Sequence, residues 1–145
     1  MSLITRNWQH HNHVTNVLLT HLQTLPTDVL TLQASWGGMS IRDHLEHLIY
    51  DVLHWLSHVE PIAGSDPAED IAGLQKQLED AHTCLFAAVN RAPTDAPTLP
   101  HMTNEQLLMH MLIHESHHRA QVLDILKTHN LPLPYAEAYW GLWRS

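Results

Sequence analysis

The residues best suited to chemistry in this 145-residue chain form one run, His114-Glu115-Ser116-His117-His118-Arg119-Ala120-Gln121. Neutral imidazoles bind borderline divalent metals, and two on one helix can share an ion when they stand four positions apart. At about 3.6 residues per turn, His114 and His118 project from the same side of a helix. On a helical wheel started at Leu108, at about 100° per residue, Met111, Val122, Ile125 and Leu126 fall on the arc that also holds His114 and His118. His110 and His117 fall roughly opposite. The spacing predicts His114 and His118 inside a helical bundle and His110 and His117 on its surface.

Two histidines do not complete a catalytic metal site. Three protein ligands, with a position left for water or substrate, are the usual set, so a third must come from a facing helix. The stretch from Ser40 to about Glu60 offers His44, His47, Asp51 and His54. Its apolar arc holds Leu45, Leu48, Ile49, Val52 and Leu56, and His47, Asp51, His54 and His58 form a polar strip roughly opposite, with His44 nearer the apolar edge.

The same run satisfies H-E-x-x-H, the zinc-protease helix in which two histidines bind metal and the glutamate acts as general base. Glu137 could serve as a third ligand. Against this, Gln121 and Asp124 occupy the places of the glycine and third histidine of the metzincin extension, and no strand pattern supplies an edge for a peptide. In so histidine-rich a chain the motif also arises easily by chance.

Four helices must position these residues. The first is predicted from Leu3 to Leu25, with Val14, Val17, Leu18, Leu22 and Leu25 at helical spacing, and Pro26 ends it. A connector leads to the turn signal Trp36-Gly37-Gly38. Ser40, with Asp43 three residues on, opens the second helix as a capping box. Asp66-Pro67-Ala68-Glu69 predicts the start of the third, with Asp66 as N-cap and Ile71, Leu74, Leu78, Ala81, Leu85 and Ala88 buried. Cys84 lies beside that face and is expected to pack. After a Pro-rich connector from Ala92 to Pro100, the capping box Thr103-Asn104-Glu105-Gln106 opens a fourth helix ending near Asn130. Pro132 and Pro134 forbid its continuation. The aromatic tail from Tyr135 to Ser145, with Trp140 and Trp143, is expected to pack back on the bundle or on a second subunit.

Composition narrows the function classes. The net charge of −8 and only seven Lys and Arg leave no basic stripe for a phosphate backbone, which argues against nucleic acid. No apolar run is long enough to span a bilayer, and the first residues lack a signal-peptide pattern. A single cysteine excludes an intrachain disulfide framework and fits a reducing compartment. A soluble, cytoplasmic protein of one domain over 1–145 is expected. The 15 histidines are the anomaly, since protonating all of them would move the charge from −8 to +7. Their ordinary pKa of about 6.5 places much of that change just below neutrality.

The chain resembles the DinB-like, YfiT-type family of metal-binding four-helix bundles over nearly its whole length. The most specific part is His114-x-x-x-His118-Arg119-x-Gln121, which is similar to the family's H-x-x-x-H-R-G-Q signature with Ala120 in place of glycine. Ser40-Ile41-Arg42, His47-Leu48 and Trp55-Leu56 resemble the second-helix pattern, and Asn16-Val17-Leu18-Leu19 matches more loosely. The resemblance implies an all-α four-helix bundle and a metal triad of His47, His114 and His118. The helical wheel instead favours His44 as the inward residue of the second helix, so His44 is the reserve ligand. Arg119 could pair with Glu115 or bind an anionic group, and Gln121 or Asp51 could orient an imidazole.

Three imidazoles would leave a divalent ion its full charge, and Zn²⁺, Ni²⁺, Fe²⁺ or Mn²⁺ would be accommodated. What the resemblance implies is a metal-dependent enzyme acting on a small molecule: a thiol S-transferase using a low-molecular-weight thiol, or a hydrolase. The alternative is a non-enzymatic metal-binding or stress-associated bundle. A homodimer is also implied by the family.

Overall fold

The computed structural model describes residues 3–58, 64–91, 97–99 and 101–134. Four helices dominate: α1 Leu3–Leu22, α2 Ile41–Ser57, α3 Ile71–Asn90 and α4 Asn104–Thr128. Each forms where apolar residues recur every third or fourth position, and a side chain caps the first turn of α2, α3 and α4. Ser40 with Asp43, and Thr103 with Gln106, make the two predicted capping boxes, each side chain satisfying the other residue's backbone N–H.

The ends have equally local causes. α1 ends at Leu22, short of the expected Leu25, in turns that bond Thr24 N to His21 O and Leu25 N to Leu22 O, and Pro26 and a short 3₁₀ turn, Thr27–Thr31, follow. At the end of α4, Asn130 takes a left-handed φ of 57°. Its N–H then reaches Lys127 O and the Leu131 N–H reaches Leu126 O, at 3.1 and 2.9 Å. This Schellman pattern satisfies carbonyls that the helix leaves open. The turn at Trp36 closes through a bridge between Ala34 and Gly37, with φ near +90° at Gly37 and Gly38, a region that favours glycine.

Two further expectations are corrected. The third helix starts at Ile71, with Asp70 rather than Asp66 as its cap, Asp70 Oδ1 accepting from Gly73 N at 2.8 Å. Residues 66–69 are held in a non-helical course: Gln77 bonds Asp66 O and Ala68 N, and Arg42 donates to Ala68 O and Glu69 O. Those tertiary bonds outweigh the local start signal. A short antiparallel pair, β1 Pro97–Leu99 with β2 Met102–Thr103, also precedes α4 where no strand is expected.

In cross-section the helices form a ring, with α1 and α2 each packed against both α3 and α4. The core runs through the middle, including Trp8, Leu18, Leu22, Leu45, Leu56, Leu85, Leu107 and Met111. α4 therefore has two working seams, one toward α2 and one toward α1 and α3. No helix among the described residues is long and apolar enough to cross a membrane. The aromatic tail and Glu137 lie outside the described residues. Cys84 is exposed, not packed in the core, at the edge of a shallow cleft of about 300 Å³ between α2 and α3. Its helical position sets it just past the buried Ala81 and Leu85 stripe.

Candidate metal centre

α2 and α4 bring His47, Asp51, His114 and His118 together, each offering a ligand atom within 4.8 Å of the others. The spacing rules on both helices produce this. His47 and Asp51 are one turn apart on α2, His114 and His118 one turn apart on α4, and the two pairs face each other across the seam. Asp51 Oδ2 accepts from His114 Nε2 and lies 3.1 Å from His47 Nε2. The rings of His47 and His114 each lie 4.7 Å from that of His118, centroid to centroid.

Access is graded. His118 is buried, whereas the side chains of His47 and His114 are 41% and 32% exposed. Burial, then the neighbouring His114, His47 and His44, lower the His118 pKa to about 4, so its ring is neutral and can act as a ligand at physiological pH. His110 and His117 are exposed, as the helical wheel predicts.

The rivalry between His44 and His47 resolves into two different positions. His44 is buried, as the wheel predicts, and its Nδ1 lies 2.8 Å from His118 Nδ1, while the four-residue group itself does not include it. His44 bonds one nitrogen of the His118 ring, and such a partner fixes the ring's tautomer and orientation. Burial also lowers its pKa and keeps it neutral. Gln121 stands on the same side, lining a cavity of about 100 Å³ with His44, Trp36, Met39 and Asp124.

Glu115 is turned to the other seam. It is 0% exposed and bonds His11 Nε2 of α1 and, at 2.7 Å, His82 Nε2 of α3. Although its burial opposes ionisation, the His82 and His11 contacts prevail and hold the carboxyl down to about 2. His11, His82 and Glu115 form a second set of ligand atoms within 4.8 Å of one another. A glutamate so engaged is not in place to act as general base beside His114 and His118, which removes the geometric basis of the H-E-x-x-H protease reading. Arg119, expected to pair with Glu115 or an anion, donates to His11 Nδ1, Thr15 Oγ1 and Ser116 Oγ.

Neither His11 nor His82 was a candidate on sequence grounds, yet a signal exists. His11 lies on the stripe Ile4, Trp8, His11, Thr15, Leu18, Leu22, and His82 on Leu74, Leu78, His82, Leu85, Val89, both at core spacing. Glu115 likewise lies one turn after Met111 and two before Val122. A polar residue on an apolar stripe has to find a partner there.

The family model of the DinB family matches residues 1–129. The chain belongs to the DinB family. No curated protein and no solved structure matches it significantly. The helical DinB bundle, with its histidine and carboxylate groups, fits a possible divalent-metal site.

Proposed function

We propose that this DinB protein is a divalent-metal-dependent enzyme acting on a small molecule. His47, His114 and His118 would hold the ion, with Asp51 beside them. The observation that carries this reading is the convergence of three imidazoles and a carboxylate from α2 and α4 at a seam where the His47 and His114 side chains are partly exposed. The donor set, neutral nitrogens with one anionic oxygen, suits Zn²⁺, Ni²⁺, Fe²⁺ or Mn²⁺. Such an ion would supply Lewis acidity toward a water or thiol at an open position.

The chain's own residues supply the rest. His118 is kept neutral by burial, and His44 orients it. Asp51 pulls His47 and His114 toward one point. Transfer of a low-molecular-weight thiol to an electrophile, or hydrolysis of a small molecule, are the reactions such a site would perform. A homodimer belongs to the same reading and is supported by Met109 and Ile113, exposed one turn apart on α4.

The test is elemental analysis and zinc titration of untagged protein, then an electrophile challenge with each common low-molecular-weight thiol. One ion per chain and thiol-dependent turnover support the transferase; turnover without thiol supports the hydrolase. One ion with neither activity would leave a metal-binding bundle, and no ion at any zinc concentration would remove the reading. Sedimentation at micromolar concentration tests the dimer.

A further inference from the structure

The buried group of His11, His82 and Glu115 has the composition of a metal site. Two imidazoles and a carboxylate, drawn from α1, α3 and α4, place their ligand atoms within 4.8 Å of one another. That donor set is one that zinc uses. What stands against an ion there is Arg119. A guanidinium has only donors and does not lose its proton.

Arg119 Nη1 lies 2.6 Å from His11 Nδ1, 3.0 Å from Thr15 Oγ1 and, more distantly, 3.4 Å from His11 Nε2. His11 Nδ1 must therefore be the acceptor, which puts the ring proton on Nε2, where it is donated to Glu115. An ion at His11 Nε2 would need the lone pair of that atom. The proton would then move to Nδ1 and point at the guanidinium N–H, two donors face to face. The ion's two charges would also enter a buried group that lies against the part-buried Arg119 guanidinium, with the Glu115 carboxylate as the anion within the group.

We propose that Arg119 is a specificity-determining residue: by fixing the His11 tautomer it keeps a latent His11–His82–Glu115 site filled with protons and confines divalent cations to the group at His47, Asp51, His114 and His118. The latent-site half stands on the Arg119 contact alone; the confinement half rests on the function proposed above. The latent site would take Zn²⁺ or a similar borderline cation. Adjacent residues of α4 thus divide the work, His114 and His118 facing one seam and Glu115 and Arg119 the other.

The test is equilibrium dialysis against Zn²⁺, with elemental analysis, of the full chain and of Arg119→Met, together with long-range ¹H–¹⁵N spectra of the imidazoles. Wild type is expected to show His11 as the Nε2–H tautomer, unchanged by excess zinc. Arg119→Met is expected to bind one more zinc per chain than wild type and to lose that ion when His82→Asn is added. A wild-type His11 in the Nδ1–H form, or a zinc-induced change at its Nε2, overturns the proposal, and this readout stands even if Arg119→Met does not fold. A folded Arg119→Met with no extra ion overturns it as well. If the site in the α2–α4 seam fails instead, wild type binds no zinc while Arg119→Met still gains one, which upholds the latent site and separates the two failures.

Discussion

His44 and His118 meet Nδ1 to Nδ1 at 2.8 Å across the α2–α4 seam, so one ring donates and the other accepts. If His118 faces an ion through Nε2, its Nδ1 carries the proton and His44 is the acceptor. His44→Ala is then expected to weaken zinc binding by roughly 10- to 100-fold, the usual cost of losing such a partner. His118→Ala is expected to abolish it. Competition titration against a chromophoric chelator measures both, and equal losses would place His44 among the ligands themselves.

Asp51 touches both His47 and His114, so the effect of removing it depends on whether it binds the ion or only orients rings. As an orienting residue it predicts that Asp51→Asn keeps one zinc per chain at reduced affinity, whereas His47→Ala and His114→Ala lose the ion. Complete loss of zinc in Asp51→Asn would make it a ligand.

Removing Glu115 should be costly. Its carboxylate accepts from two buried imidazoles, and Glu115→Ala would leave both N–H groups without an acceptor in a dry interior. A loss on the order of 3–5 kcal/mol is expected by urea unfolding, and a smaller one for Glu115→Gln, whose carbonyl can still accept one bond. A loss below about 1 kcal/mol for the alanine variant would show that the network contributes little.

Acid should destabilise the metal-free protein well above the carboxylate range. The folded-state pKa of His118 is depressed from 6.5 to about 4 by burial and neighbouring imidazoles. Below about pH 6.5 the unfolded chain therefore takes up a proton that the folded chain refuses, and stability falls until about pH 4. His11 and His44, also lowered by burial, act in the same direction. Glu115 adds nothing between pH 7 and pH 5, since its contribution is fully present above about 4.5 and is lost as pH falls from there through about 2. Urea midpoints at pH 7 and pH 5 check this, and His118→Gln should reduce the difference between them.

The helix caps give a control remote from the site. Ser40→Ala and Thr103→Ala should each cost about 1 kcal/mol, because each removes an acceptor for a first-turn N–H. Thermal unfolding of the two single variants and the double variant measures the costs and their additivity.

Much of the framework was legible in the chain. Pro26, Ser40 with Asp43, Thr103 with Gln106, and the apolar stripes mark helices by local rules that act within a few residues, and the observed boundaries follow them closely. The exception is instructive: Asp66-Pro67-Ala68-Glu69 reads as a helix start, but Arg42, some 26 residues away in sequence, claims its carbonyls. A local signal yields when a distant side chain satisfies the same backbone groups better.

The sequence by itself determined the four helical stripes, the family, and the shared helix sides of His114 with His118 and of His47 with Asp51, because a helical period fixes which residues point together. Only the tertiary structure decided that His44 meets His118 nitrogen to nitrogen, that Glu115 turns to His11 and His82, and that Arg119 reaches His11. The reason is physical. Periodicity fixes the angle of a side chain about its own helix axis, whereas a hydrogen bond between helices depends on their relative rotation and height, which the packing of the whole core sets.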